Sequence, residues 1–325
     1  MDQASTITMT ASLTTDVNIQ LAFELLPVVY LKNKDGSRFI HPKNTREKIP
    51  YFGLDGAIIC VKYKGKIRGI RQNEGQMNNV VSIDLQTGNK NVNIKLARSR
   101  VQLTGANSDK MGENAFNVLC LHLNTIQKHI NYIRSISMEV RDKTIQWVID
   151  NLDVEDYNLS VTEAANTLGI DSNLALFLLQ FSETLTQEEF VEKVNYIYKS
   201  IFEEGVNVCN EDVDIIDCVI SNSVYNYNIG REVSLIELTK HLDKKGFSVS
   251  FHNWNSTHLK LAIPIFDDDK STPSESSGSS GKIRAHRFCL HRSGSCKQTS
   301  PTSYIEAVNA RKMFMEGMSD YVYVE

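Results

Sequence analysis

Three groups of side chains in this sequence have types and spacing that suit chemistry. The first is basic. Lys62, Lys64, Lys66 and Arg68 alternate along one stretch, Arg98 and Arg100 flank a turn, and Arg287, Arg292 and Lys297 recur near the C-terminus. Cations spaced like this on strands can meet the phosphates of a nucleic acid, and can equally form a solvated strand face. The second group is His286, Cys289, His291 and Cys296. Along a continuous strand His286 and His291 point to opposite faces, and the cysteine spacing fits no zinc pattern, so no metal is expected. The third comprises His252, Trp254 and His258 around a turn, and the run Asp267-Asp268-Asp269, which lacks regular ligand spacing. The sequence has no nucleotide-binding glycine loop, no serine elbow and no Cys/His pair with an orienting partner. The chain is therefore read as non-catalytic, with no cofactor.

Composition places it among soluble folded proteins. It has 325 residues, 41% hydrophobic and 23% charged, enough to bury a large core. No signal peptide or membrane-spanning apolar run is read from it. Cys60, Cys120, Cys209, Cys218, Cys289 and Cys296 form no CxxC pair and are read as reduced core residues. The formal net charge is -4, but it is unevenly spread. Lys62 to Arg100 holds nine Lys/Arg and two acids, Lys282 to Lys312 holds seven and one, and Glu139 to Asp217 holds four and 18. Two basic segments thus flank an acidic middle.

The elements that would position these groups follow from the hydrophobic pattern. Thr6 to Leu13 reads as a strand. A short helix capped by Thr15 or Asp16 carries Val17, Leu21, Leu25 and Leu26 and stops near Pro27. Strands follow over Gly56 to Arg71, with a turn at Lys64-Gly65, and over Val80 to Leu85. Asn89 to Leu123 then reads as strand, Arg98-Ser99-Arg100 turn, a strand stopped by Thr104-Gly105, and a helix capped by Asn107 or Ser108. The middle is helical, with Ser160/Glu163 and Thr186/Glu189 as capping-box pairs. Its break at Gly169 suggests a helix-turn-helix only superficially, because no basic recognition face accompanies it. From Asp217 the order returns: a strand over Cys218 to Ile229, a helix opened by Ser234, and strands over Phe247 to His252 and His258 to Ile265. A low-complexity acidic stretch, Phe266 to Ser280, is read as a flexible loop. A basic strand, turn and strand and a last helix close the chain.

This doubled order resembles the half-domain of the TATA-box-binding protein family. The resemblance is carried by Val101 to Leu119, VQLTGANSDKMGENAFNVL, where a strand ends in Thr-Gly-Ala before the long helix. FCLHRSGSCKQTS in the second unit carries it too. It spans about 125 residues of the first unit and about 100 of the second. The resemblance implies an α+β fold of two pseudo-symmetric repeats forming an antiparallel, saddle-shaped sheet covered by helices. The repeats would be residues 1–125 and 211–325, the second containing the loop at 266–280. The acidic helical insertion at 126–210 has no counterpart in a minimal member of the family. Divergent versions of this style resemble those of large DNA viruses of eukaryotes.

The resemblance also implies a function. A concave surface would sit in the minor groove of AT-rich duplex DNA, with apolar wedges between base steps. Leu96 falls at the first repeat's wedge position, with Leu54 (or Phe52) as its partner, and His291 falls at the second. Val92 and Leu103 would join the groove surface. Lys62, Lys64, Lys66, Arg68, Arg98, Arg100, Arg287, Arg292 and Lys297 would touch phosphates, and Asn91 or Asn93 would read base edges. Transcription proteins would dock on the convex helices or the acidic insertion. A homodimer through exposed sheet surface fits the alternative, a structural or assembly platform that keeps the fold without binding DNA. The expected location is the nucleus or a viral replication compartment in the host cytoplasm, with no membrane contact.

Overall fold

The structure is a computed structural model of the chain. It describes every residue except 1–3, 32, 34–38, 42–48, 72–78, 153–156, 182–186, 252–256, 266–283, 303 and 322–325, and for 157–159 the helical backbone alone.

Alternation of buried and open side chains makes the first strand, β1 (Thr6–Leu13), in which Ile7, Met9, Ala11 and Leu13 are buried. Helix α1 (Ile19–Leu25) follows. Its cap is Asn18, whose side chain accepts from Leu21 N at 3.0 Å, and not Thr15 or Asp16. Val17 is held back by a bridge to Cys209, so the helix starts later, and Asp16 pairs with Arg98 instead. Strands β2 (Ile58–Tyr63), β3 (Lys66–Gly69), β4 (Val81–Thr87), β5 (Lys90–Leu96) and β6 (Arg100–Ala106) complete the first half, closed by the long helix α2 (Asp109–Ser135). Ser108 caps α2. Thr104-Gly105 does not end β6. Gly105 takes φ 113 and is skipped in the pairing with β1, a bulge that carries the strand through to Ala106.

The middle contributes α3 (Met138–Asp150), α4 (Tyr157–Leu168), α5 (Ser172–Leu179) and α6 (Gln187–Tyr198), then a π-helical turn over Lys199–Glu203. Asp171 caps α5 after the Gly169 break. Ser160 lies inside α4, which begins a turn earlier than the capping-box pattern suggests. Thr186, the other proposed cap, lies outside the described residues. The second half runs β7 (Ile215–Asn228), α7 (Leu235–Lys244), β8 (Ser248–Ser250), β9 (His258–Pro264), β10 (Ala285–His291), β11 (Ser295–Ser300) and α8 (Tyr304–Gly317). The loop expected at 266–280, with Asp267 to Asp269, and the residues His252 and Trp254 lie outside the described residues.

All eleven strands form one antiparallel sheet in the order β3-β2-β4-β5-β6-β1-β7-β11-β10-β9-β8. From the central pair β1 and β7, each half runs outward from its first strand to its last and then back through the chain. The expected saddle is corrected by this arrangement. The sheet is open, with short strands β3 and β8 at its two ends, and it is neither closed nor strongly curled. Closing it would need the two ends to find partners, and β3 and β8 have only four and three residues to offer.

The helices pack on one face. The larger core joins β1, β4, β5 and β6 to α1 and α2 and continues through Val148, Leu174, Phe190 and Ile201 of the middle. The second core gathers Leu238, Leu261, Phe288, Leu290 and Phe314, with the rings of Phe288 and Phe314 stacked at 4.7 Å. Arg134 at the end of α2 fixes the chain returning from the middle. It donates to the carbonyls of Ile201 and Val206 and to Asn207 Oδ1 at 3.0, 2.8 and 2.6 Å.

Candidate nucleic-acid interface

The side chains opposite the helices can be read off the strand registers, because partners across a ladder share a face. In the first half one row runs Lys62, Ser82, Lys95, Gln102, Thr10 and on to Val219. The next runs Asp84, Asn93, Thr104, Thr8 and Asn222. Arg100 stands opposite Ser12 and Ile216 on the same face. In the second half one row runs Ser250, Lys260, Cys289, Lys297 and Asn226. Another runs Ala262, Arg287, Thr299, Val224 and Thr6.

The charge pattern is ordered. The centre, β1 and β7, presents the uncharged Thr6, Thr8, Thr10, Ser12, Asn222 and Asn226, together with the exposed apolar Ile216 and Val219 and the carboxylate of Asp217. Lys62, Lys95 and Arg100 lie to one side and Lys297, Arg287 and Lys260 to the other. Among the described strand residues, carboxylates occur only at Asp84 and Asp217. Asp84 is buried, forms an ion pair with Arg71 and accepts from Asn93 at 2.9 Å. Asp217 sits with Thr10, Lys95, Arg100 and Val219 at an open depression of about 450 Å³. One corner is roofed: Gln86 accepts from the backbone of Phe52 and Leu54, and Asn91 donates to the carbonyls of Ile49 and Pro50.

The residues singled out in the sequence are thereby sorted. Lys62, Arg100, Arg287, His291 and Lys297 are on the open face, where His291 lies against His258. Lys64 and Arg292 are exposed in turns, and Leu54 is on the roofed corner. Arg98 is exposed and spends its Nε on Asp16 at 2.8 Å. The remaining five sit elsewhere. Arg68 lies on the helix side and donates to the carbonyls of Phe23 and Glu24 at 2.6 and 3.0 Å, capping the end of α1, and burial lowers its pKa. Val92, Leu96 and Leu103 are core residues under the helices. They alternate with the polar row and cannot share its face, so no apolar wedge stands at Leu96. Lys66, paired with Tyr63, also belongs to the helix side, where it lines a cavity with Glu24 and Lys193. Lys95 and Lys260 were passed over in the sequence, although each stands between two buried apolar residues and so had to face away from the core. His286 lies on the helix face, bonded to Ser300 Oγ at 3.0 Å, with its pKa lowered by burial.

On the helix side Lys193 of α6 reaches α1, pairing with the Glu24 carboxylate and donating to the Glu24 carbonyl at 2.8 Å. Burial pulls its pKa down to about 8, against the opposing pull of Glu24. The thiols of Cys60 and Cys120 are pushed up by burial to about 11 and about 12, so both remain protonated at neutral pH. None of the described helices is long and apolar enough to cross a membrane.

No protein-family model and no curated protein sequence matches this chain. Among solved structures it is similar to Methanococcus jannaschii TBP, at 10% identity and a TM-score of 0.41, with 99% of each chain covered. The likeness is remote.

Proposed function

We propose that this chain is a non-catalytic, duplex-DNA-binding protein of transcription, with the open face of its sheet as the binding surface. One observation carries the reading: six cations, Lys62, Lys95, Arg100, Lys260, Arg287 and Lys297, flank a central stripe of mainly hydroxyl and amide side chains, whose one carboxylate among the described residues is Asp217, on a face that no described helix covers. Cations meet phosphates, and the central stripe lies where base edges or sugars come closest. The exposed acids of the middle, such as Glu139, Asp142, Glu163 and Glu188, belong to the helical elements and leave the sheet face to DNA. Transcription proteins would dock on that helical side.

Electrophoretic mobility shift with AT-rich and GC-rich duplexes at two salt concentrations tests the reading. Both duplexes are retained at low salt, and the double variant Lys95→Glu, Lys297→Glu abolishes retention. Free migration of both duplexes with the unaltered protein at low salt overturns it.

A protein-interaction platform is the second reading, favoured by α8. Ile305 is 71% exposed and Met313 50%, on a helix whose counterpart α2 shows mostly polar residues outward. Sedimentation of the full chain over a hundredfold concentration range tests self-association through this helix. A constant monomer mass removes the homodimer.

A further inference from the structure

We propose that the depression around Asp217 on the open face binds an unpaired guanine nucleotide, with the carboxylate holding the base and Arg100 and Lys95 holding the phosphate. The ligand is a free guanine nucleotide or a guanine within a single strand, and the inference does not depend on duplex binding.

A bulge in β7 builds the site. Across the central pair, Ser12 stands opposite Ile216 and Thr10 opposite Val219, so Asp217 and Cys218 together face Ala11. The extra residue lets this stretch serve both faces. Cys218 packs against the larger core on the helix side. Asp217 takes φ 53, a left-handed backbone that aspartate tolerates better than most side chains. Its exposed carboxylate stands beside the exposed Val219, in one depression with Thr10, Gln102, Lys95 and Arg100. Among the described residues it forms no ion pair with either cation. The depression holds about 450 Å³, within the range of small-molecule sites.

The chemistry of the carboxylate selects the base. An ionised carboxylate offers two acceptors side by side and no donor. Guanine presents two adjacent donors, N1–H and the N2 amino group, on its Watson–Crick edge, and these meet both oxygens at once. Adenine and cytosine each place one amino group beside a ring-nitrogen acceptor, and thymine and uracil place one N–H between two carbonyls. Each of these sets a lone pair against the carboxylate, which disfavours it. Base pairing occupies the same edge, so the guanine has to be unpaired. Its apolar face rests along Val219. In the strand order β5-β6-β1-β7, Arg100 is two strands from Asp217 and Lys95 is three, about 10 and 14 Å at about 4.8 Å per strand. A nucleotide seated on Asp217 extends over β1 toward them. Their long side chains close the remaining gap to its phosphate, Arg100 with a fork that suits phosphate oxygens. Thr10 and Gln102, paired across β1 and β6, lie beneath the sugar.

Isothermal titration calorimetry of the full-length protein with GMP, AMP and XMP tests the site. The parent protein is expected to bind GMP about tenfold more tightly than AMP, the scale on which a bidentate base contact discriminates. Asp217→Asn keeps the side-chain shape and exchanges one acceptor for a donor. That matches xanthine, whose C2 carbonyl replaces the amino group of guanine, so the variant prefers XMP to GMP by about tenfold. Lys95→Ala weakens GMP binding to the parent site without altering the preference over AMP. Anisotropy of labelled single strands, TTGTT against TTATT, identifies the source of the ligand. A preference for TTGTT with tighter binding than GMP assigns the single strand, and equal or weaker binding assigns the free nucleotide. Equal affinity for GMP and AMP overturns the proposal, and so does an Asp217→Asn protein that is folded by thermal melt and does not favour XMP. Absence of GMP binding together with equal binding of the two strands also overturns it. The duplex-binding reading is decided separately by the mobility shift, so the two can fail independently.

Discussion

Neutralising phosphates releases counterions, so the salt dependence of binding counts the cations that take part. The open face offers Lys62, Lys95, Arg100, Lys260, Arg287 and Lys297. If each meets one phosphate, the plot of log K against log salt has a slope of about -5, at roughly -0.9 per contact. Between 50 and 200 mM salt the association constant then falls on the order of 10³-fold. Lys95→Ala shortens the slope by about 0.9, and Lys297→Ala does the same. The two strands concerned are separated by β6, β1 and β7, so the effects add in the double variant. Lys66→Ala is the control. This lysine is basic and exposed but lies on the helix side, and its removal leaves the slope unchanged. Anisotropy of a labelled 20-bp duplex at five salt concentrations measures all four proteins, and thermal melts confirm that each is folded. A parent slope shallower than about -2 refutes the assignment of six contacts. A Lys66→Ala slope that drops as far as that of Lys95→Ala refutes the assignment of the face.

Three further outcomes follow from the packing. Leu96→Ala empties a fully buried site and costs about 2–5 kcal/mol in urea unfolding, with the salt slope of binding unaltered; a stable variant with weakened binding would restore the wedge. Lys193 has a folded pKa of about 8, below its ordinary value of 10.5. The unfolded chain therefore binds more protons between these pH values, and the stability penalty, full below about pH 8, is relieved as pH rises toward 10.5, by up to about 3 kcal/mol. The difference between parent and Lys193→Met in denaturant midpoints at pH 7.5 and 10 isolates it from the thiols and tyrosines, and a difference that does not change with pH refutes it. Arg134→Lys gives up the planar fork that holds two carbonyls and an amide and lowers stability by about 1.5–3 kcal/mol in the same assay; an unchanged midpoint would show that the fork contributes nothing.

Much of the local structure was legible because strand and helix periods are written in the apolar residues. Val92, Ile94 and Leu96 alternate with Asn93 and Lys95, and β5 forms with that alternation. Ser108 is a polar residue just ahead of a helical period, and it caps α2. The same alternation bore on the site. A residue between two core residues faces away from them, which places Lys95 and Lys260 on the open face and Val92, Leu96 and Leu103 off it. Reading the leucines as groove contacts set a family pattern above the strand period, and the period prevailed.

Arg68 and Lys66 show the limit of that logic. Their strand is short and partly buried, with the pattern of a lysine, an isoleucine, an arginine and a glycine, and nothing in it says which side is covered. The answer lies in the register with β2, which puts Arg68 opposite Val61 and over the end of α1. The bulge at Gly105 belongs to the same class. The glycine permits φ 113, but only the pairing of β1 with β6 requires it.

The sequence by itself determined the kinds of element, their doubled order and the burial of alternate residues, because these depend on neighbours a few positions away. The tertiary structure decided three things. It joined the two halves through β1 and β7 into one open sheet, it laid the helices on a single face, and it gathered cations from six strands on the other. Each depends on partners up to about two hundred residues apart, such as Thr8 and Asn222, whose pairing is set by the shared burial of the whole sheet and by no local pattern.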